Sequence, residues 1–285
     1  MKIYKIESGT FYCDGGAAFG VVPKRVWQKR YPCDEDNFCT MAMRCLLVDT
    51  GERLVLVDTG SGTKHLEKLK YYNVSDLVDF ETELNTLGYS CDKITDVVQT
   101  HLHFDHCGGG TFFADAQKTE ILPTFPNATF WVGKAQWDNY LNPNVREADS
   151  YFPENMLPLK ERKQIRLIDS DFALCGEIDL RLFDGHSPGQ IVPYIKFEKA
   201  TVVFCGDVIP LATNIPIAWI SAFDCYPVTA MDDKICLLTE AVEQQQILVF
   251  QHDAYTECCK VGEINGRIKA TEFLKFEDLK NLINN

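Results

Sequence analysis

Apolar and polar positions alternate loosely over residues 2–12, which predicts an opening strand. Residues 43–48 and 54–57 are apolar runs parted by a polar turn at 49–53, the pattern of a hairpin, with Asp49 a turn residue. Residues 75–88 place Phe80, Leu84 and Leu87 on one face, with Gly88 just past the end, and so predict a helix. A short β-branched strand follows at 94–99. Beyond it, 129–132 reads as a strand and 134–141 as a short helix. Residues 142–159 hold Pro143, Pro153 and Pro158 and read as loop-rich. Strands are expected at 165–168 and 178–183, and a hairpin from 191–197 and 201–205. A helix at about 229–244 carries Met231, Ile235, Leu238 and Ala241 on one face, and 246–250 is a buried strand. The tail beyond looks peripheral. Strands followed by a helix, twice over, with no linker rich in Pro, Gly and Ser, give one α/β domain over residues 1–285.

One stretch resists this pattern. Residues 14–40 hold Phe19, Val21 and Trp27 without clear periodicity. Long loops without structure of their own are often functional. A lid over a site, a dimer contact and a surface loop packed on its own apolar side chains all remain open readings of it.

Composition narrows the class. A chain of 285 residues, 46% hydrophobic, has enough apolar side chains for a sizeable core. Its net charge of −13 argues against nucleic acid as the main substrate, since phosphate binding needs clustered Lys and Arg. No apolar run reaches transmembrane length. The opening Met1–Glu7 is too short and too charged for a secretory signal, so the twelve cysteines, none in a Cys-x-x-Cys pair, are expected as reduced thiols in the cytoplasm.

The chemistry gathers in residues 100–110, Thr-His-Leu-His-Phe-Asp-His-Cys-Gly-Gly-Gly. Three of the six histidines, His101, His103 and His106, fall within six positions, with Asp105 among them. Imidazole and carboxylate donors suit zinc, or manganese or iron as other divalent choices. In an extended segment residues two apart point the same way, so His101 and His103 grip one ion; a turn after His103 turns Asp105 and His106 towards a second. Gly108, Gly109 and Gly110 let the backbone approach closely. The stretch follows a predicted strand, where α/β sheets place their chemistry. Four more polar residues stand at predicted strand ends: Asp58, suited to orient a ligand from behind, His186, Asp207 and His252.

Together these residues resemble the five motifs of the metallo-β-lactamase superfamily: Asp58 in Val-Asp-Thr-Gly, the His101–His106 run, His186 before Ser-Pro-Gly, Asp207 after Cys-Gly, and the late His252. The resemblance implies a four-layer αββα sandwich and two divalent metal ions per chain, most simply Zn2+, with Mn2+ and Fe2+ as alternatives. His101, His103 and His186 would hold one ion, Asp105, His106 and His252 the other, and Asp207 would bridge them. An aspartate at 207 is not what true β-lactamases of the superfamily use there, and His103 replaces the glutamate of the flavo-diiron oxidoreductases. The 14–40 segment, the His motif and Phe125-Pro-Asn-Ala are similar to quorum-quenching lactonases and their organophosphate-hydrolase relatives. Acyl-homoserine lactonases have a substrate-contacting tyrosine soon after the bridging aspartate; here Val208-Ile209-Pro210 follow. His65, on a Lys-rich stretch, is expected in solvent.

A metal pair supplies hydroxide at neutral pH for attack on an ester or lactone carbonyl. Asp105 is the expected proton shuttle to the leaving group. Phe104 and Phe19 are the expected pocket walls for a small, partly apolar substrate, with a homodimer as a further expected partner state. The alternatives are a thioester hydrolase like glyoxalase II, an organophosphate or phosphodiester hydrolase, and last a non-catalytic metal-binding protein.

Overall fold

The computed structural model describes residues 1–284, apart from the side chains of Lys280, Asn281 and Asn284. The first elements are β1 (Lys2–Asp14), α1 (Gly15–Phe19), α2 (Lys24–Trp27), β2 (Phe38–Asp49), β3 (Leu54–Val57), α3 (Phe80–Thr86), β4 (Asp96–Val98), α4 (Phe104–Cys107), β5 (Thr111–Phe113), β6 (Ile121–Pro123), β7 (Thr129–Gly133), α5 (Lys134–Leu141), α6 (Pro153–Glu161) and β8 (Ile165–Ile168). There follow β9 (Phe172–Ala173), β10 (Ile178–Phe183), β11 (Gln190–Lys196), β12 (Thr201–Phe204), α7 (Pro227–Glu243), β13 (Ile247–Val249), β14 (Cys258–Ile264), β15 (Arg267–Leu274) and α8 (Phe276–Asn284). They fall into two compact units, Met1–Phe11 with Met43–Asp169, and Tyr12–Ala42 with Ser170–Asn285. No helix among the described residues is long and apolar enough to cross a membrane, and no disulfide joins the cysteines.

The first unit is built on a six-stranded sheet ordered β1-β2-β3-β4-β7-β8. The hairpin β2–β3 is antiparallel, with Leu46 opposite Val57, and β3, β4, β7 and β8 run parallel. Phe80 and Leu84 of α3, Trp137 and Tyr140 of α5 and Met156 and Leu159 of α6 close a core on Leu47, Leu56, Val97 and Phe130. The alternate positions Leu46, Val48, Val55, Val57 and Val98 are buried as well. The central strands therefore have no solvent face, which is why β3 is an unbroken apolar run and β4 is apolar at Val97 and Val98. Each such side chain stabilises the fold by about 1.5–3 kcal/mol.

Two elements here differ from the sequence reading. The helix at 75–88 begins only at Phe80, where Asp79 caps it by accepting from Thr82 N at 2.8 Å. Ser75 is taken by strand pairing instead, exchanging both backbone bonds with Thr10 at 2.9 Å. The passage at 142–159, expected as loop-rich, ends in the helix α6. Pro153 opens it, where the missing N–H is harmless. Pro158 lies inside and leaves Glu154 O without its helical donor; the Thr111 hydroxyl supplies one at 2.9 Å.

The second unit holds a seven-stranded sheet, β15-β14-β13-β12-β11-β10-β9. Only β12 and β13 pair in parallel, joined through α7. The helix buries Ala230, Lys234, Leu237, Leu238 and Ala241, and Leu237, Leu238 and Ala241 share a core with Val192, Val203 and Leu248 of the sheet and with Phe250 just past β13. The expected face is thus turned by about one position, and Ile235 is exposed while Lys234 is buried. Burying an ammonium demands acceptors. Lys234 Nζ donates to the carbonyls of Asn214 (2.5 Å), Pro216 (2.9 Å), Ile217 (3.2 Å) and Trp219 (3.1 Å), tying the 214–219 loop to the helix. The tail is not peripheral: β14 and β15 complete the sheet, and Phe276, Leu279 and Ile283 of α8 are buried.

The 14–40 stretch holds two short helices rather than an irregular loop. Asp14 caps the first by accepting from Gly16 N at 2.7 Å. Phe19 is fully buried, stacked on Trp27 with ring centroids 4.9 Å apart, whereas Val21 is 88% exposed.

Candidate metal centre

In the first unit the polar residues stand where parallel strands end. Asp58 follows β3 directly, and Thr100 and His101 lie just past β4. The chain then turns at His103 into the single-turn helix α4, which carries Asp105 and His106. Two glycine-bearing loops interlock beneath this turn. A Cβ on Gly62 would lie 2.8 Å from Gly108 O, and one on Gly108 would lie 2.0 Å from Ser61 O. Thr59 N (2.7 Å) and Gly109 N (3.0 Å) donate across the contact to His106 O and Gly60 O, and buried Lys64 donates to the carbonyls of Gly108 and Thr111.

Hydrogen-bond partners fix the imidazole tautomers. The Asp58 carboxylate, fully buried, only accepts. It takes Thr100 N on Oδ1 at 2.7 Å, and Thr100 Oγ1 (2.7 Å) and His106 Nδ1 (3.0 Å) on Oδ2. His106 thus carries its proton on Nδ1 and presents a lone pair on Nε2, 3.7 Å from Asp105 Oδ2. The Thr100 hydroxyl, its own proton committed to Asp58, accepts from His101 Nδ1 at 3.2 Å, which puts the lone pair of His101 on Nε2. His103 Nε2 lies 3.1 Å from Glu147 Oε1, so its lone pair is on Nδ1. His101 Nε2 and His103 Nδ1 then face each other at 3.0 Å, lone pair to lone pair. A divalent cation would take both lone pairs. The donor set therefore fits a divalent metal, and second partners that orient metal-binding imidazoles are what such a centre requires.

The second unit repeats the logic. His186, just past β10, donates from Nδ1 to Asp224 Oδ1 at 2.9 Å, and its Nε2 faces Asp207 Oδ2 at 3.4 Å. His252, just past β13, donates from Nδ1 to Ala42 O at 2.7 Å, and its Nε2 faces Asp207 Oδ1 at 3.1 Å. Asp207 thus offers one oxygen to each ring. Its loop is held from behind by Gln190, whose amide oxygen accepts from Asp207 N (2.8 Å) and Val208 N (3.0 Å). Asp253 fixes the loop after His252 by accepting from Tyr255 N (2.9 Å), Thr256 N (2.7 Å) and Ala212 N (2.9 Å).

Two orienting acids escaped the sequence reading. Glu147 is buried and collects Asn139 Nδ2 (2.8 Å), Asn144 Nδ2 (2.6 Å) and Tyr151 OH (3.0 Å) besides His103. It stands in the passage taken for loop, with no strand end to mark it. Asp224 lies 17 residues past Asp207 in an irregular stretch and is equally unmarked. Asp49 is the turn residue expected of it: it accepts from Gly51 N at 2.8 Å and from Tyr89 OH at 2.7 Å, and the tyrosine bond holds its carboxyl below the usual range. Phe104 packs between Tyr72 and Phe152 at ring centroids of 5.2 and 6.2 Å.

His65 is a correction. It is 95% buried, not in solvent, because its ring stacks on Phe152 with centroids 4.1 Å apart. Burial pushes its imidazole down to about 4, against the opposing pull of Glu154. In the unfolded chain a histidine titrates near 6.5, so between these values the unfolded state binds more protons. The contribution of neutral His65 to stability is full above pH ~6.5 and is lost as pH falls towards 4. His65→Leu is expected to flatten the unfolding midpoint across that window. A midpoint that declines with acid as steeply as in the parent would refute the assignment.

Known proteins share this architecture. A family profile for the metallo-beta-lactamase superfamily matches residues 44–252. The N-acyl homoserine lactonase of Bacillus cereus is 26% identical over 79% of this chain and 87% of its own. The structure of a probable metal-dependent hydrolase from Staphylococcus aureus superposes with a TM-score of 0.87 at 26% identity, covering 96% of this chain and 97% of that one. AidC, a dizinc quorum-quenching lactonase solved with its product N-hexnoyl-L-homoserine, superposes with a TM-score of 0.74 at 19% identity, covering 96% and 94%.

Proposed function

The chain belongs to the metallo-beta-lactamase superfamily and is a hydrolase of that fold, and from this premise we propose that it is a dinuclear, metal-dependent lactonase acting on a small acylated lactone. The observation that carries the reading is the approach of His101 Nε2 and His103 Nδ1 to 3.0 Å, with each ring's other nitrogen held by Thr100 or Glu147, so that a divalent cation would find both ring nitrogens turned towards one point. His101, His103 and His186 would hold one ion and Asp105, His106 and His252 the other, with Asp207 serving both; zinc suits this set of nitrogen and carboxylate donors. When bound, the ions supply Lewis acidity, activating water and polarising the scissile carbonyl.

The remaining work falls to side chains. Asp58, Thr100, Glu147, Asp224 and the Ala42 carbonyl hold the five rings in one tautomer and one orientation, so no reorganisation accompanies reaction. Asp105 carries the proton to the departing alkoxide, a role worth about 10²–10⁴ in rate for a positioned acid. The relative named as an N-acyl homoserine lactonase and the quorum-quenching lactonase AidC support the lactone as substrate.

The test is turnover of N-hexanoyl-homoserine lactone by protein loaded with Zn2+, Mn2+ or Fe2+, beside a thioester and a phosphotriester. Lactone opening is expected to dominate, and to vanish in the chelated sample and in His103→Ala. Undiminished turnover in either control would sink the mechanism. Preference for the thioester or phosphotriester would reassign the substrate.

A further inference from the structure

A second concave site lies wholly within the second unit. A groove of about 990 Å³ runs beside β15, the edge strand of its sheet, bounded by α7 and the 212–219 loop. That volume sits at the upper end of ligand pockets, about 300–1,000 Å³. The lining is largely apolar, with Ile217, Trp219, Ile235 and Phe273 along it. Ile235 is 48% and Phe273 66% exposed, so neither is spent on the core. Among the described residues three cations, Arg30, Arg267 and Lys269, share the lining, and no carboxylate does. In a chain of net charge −13 this local balance is the reverse of the whole.

Charged residues on an edge strand commonly serve only to block pairing with another sheet. That reading accounts for Arg267 and Lys269 but not for the apolar side chains that share the groove with them. Nor does it account for Arg30, whose guanidinium lies over the Trp219 ring at 4.5 Å and so ends at the groove. The wall is also preformed, because Lys234 fixes the carbonyls of residues 214, 216, 217 and 219 from beneath. An apolar trough with a cationic rim and no acid complements one kind of small molecule, an alkyl chain ending in an anion.

We propose that this groove binds an amphipathic carboxylate, its chain along Trp219, Ile217, Ile235 and Phe273 and its head on Arg267 and Lys269. The site uses none of the residues assigned to the metals. A free fatty acid and the N-acyl homoserine that lactone opening releases share this chemistry, and the test uses both probes.

Decanoate and N-decanoyl-homoserine are titrated into the intact protein, followed by calorimetry and by the indole N–H resonance of Trp219. Saturable binding is expected in the parent and, with equal affinity, in His103→Ala, since the readout is binding and not turnover. The double reversal Arg267→Glu/Lys269→Glu, at two exposed positions, is expected to weaken both probes by about tenfold or more. The same variant should gain affinity for decyltrimethylammonium, which shows that the groove itself survives. Binding of decanoate alone would assign a fatty acid as occupant, and binding of N-decanoyl-homoserine alone would assign the product. Absence of saturable binding by either probe, equal affinity in the reversed variant, or binding lost in His103→Ala would overturn the proposal.

Discussion

Asp207→Asn is expected to lower lactone turnover by about a thousandfold and to reduce the metal content of the purified protein. The carboxylate offers Oδ2 to His186 Nε2 at 3.4 Å and Oδ1 to His252 Nε2 at 3.1 Å, and both ring atoms present lone pairs because each Nδ1 is committed elsewhere. Two carboxylate oxygens and two ring nitrogens therefore converge, a donor set that would suit divalent cations. An amide keeps the shape but turns one oxygen into a donor. Its NH2 group bonds directly to one imidazole and occupies the lone pair that a metal needs, while one negative charge is lost. A metal is worth several kcal/mol of transition-state stabilisation, and 1.36 kcal/mol is tenfold in rate, which gives the expected magnitude. The variant should fold as the parent does, since Gln190 grips the backbone of residues 207 and 208 and not the carboxylate. Metal content and turnover near parental values would refute the bridging role.

The strand ends were legible in the sequence because a parallel strand buried on both faces is apolar except where a partner satisfies a polar group, as Arg53 and Trp131 satisfy Asp96 in β4. A charged residue following such a run, as Asp58 follows Val57, has few structural reasons to be there. Irregular backbone hid the rest. Glu147 and Asp224 orient histidines as directly as Asp58 does, yet they sit in irregular passages that no periodicity marks, Glu147 held by Asn139 and Tyr151, Asp224 by the backbone N–H of Ser221. Periodicity was right on α7 for Leu238 and Ala241 but not for Ile235, which is exposed. Lys234 is buried in the helix instead, because four loop carbonyls gather where the ammonium ends. His65 is the same error in small, since the aromatic face that buries it comes from residue 152. Local pattern reads what a residue does along its own strand or helix; it does not read a partner far away in the chain, as Phe152 is from His65.

Asp58→Asn carries the second large effect, and it acts through a proton. The residue is fully buried, and its backbone φ of +58° is a left-handed conformation that asparagine also tolerates, so the exchange is nearly isosteric and adds little strain. The carboxylate accepts from Thr100 N, the Thr100 hydroxyl and His106 Nδ1. An amide has one accepting oxygen. If that oxygen keeps Thr100 N, the NH2 group points at His106 Nδ1 and the Thr100 hydroxyl. His106 then accepts on Nδ1, its proton moves to Nε2, and the lone pair that faced Asp105 is gone. The Thr100 hydroxyl loses its acceptor, and with it the arrangement that fixes the His101 tautomer. One substitution thus disturbs two of the five imidazoles without touching a metal. Loss of a partner of this kind typically costs 10–100-fold in metal affinity or activity, and two affected rings place the expected loss at the upper end, about a hundredfold. Because the fault is a misplaced proton, excess metal should restore part of the activity and the 15N shifts of His106 should report the exchanged tautomer. An unchanged tautomer, or full activity at stoichiometric metal, would show that Asp58 serves the fold and not the site.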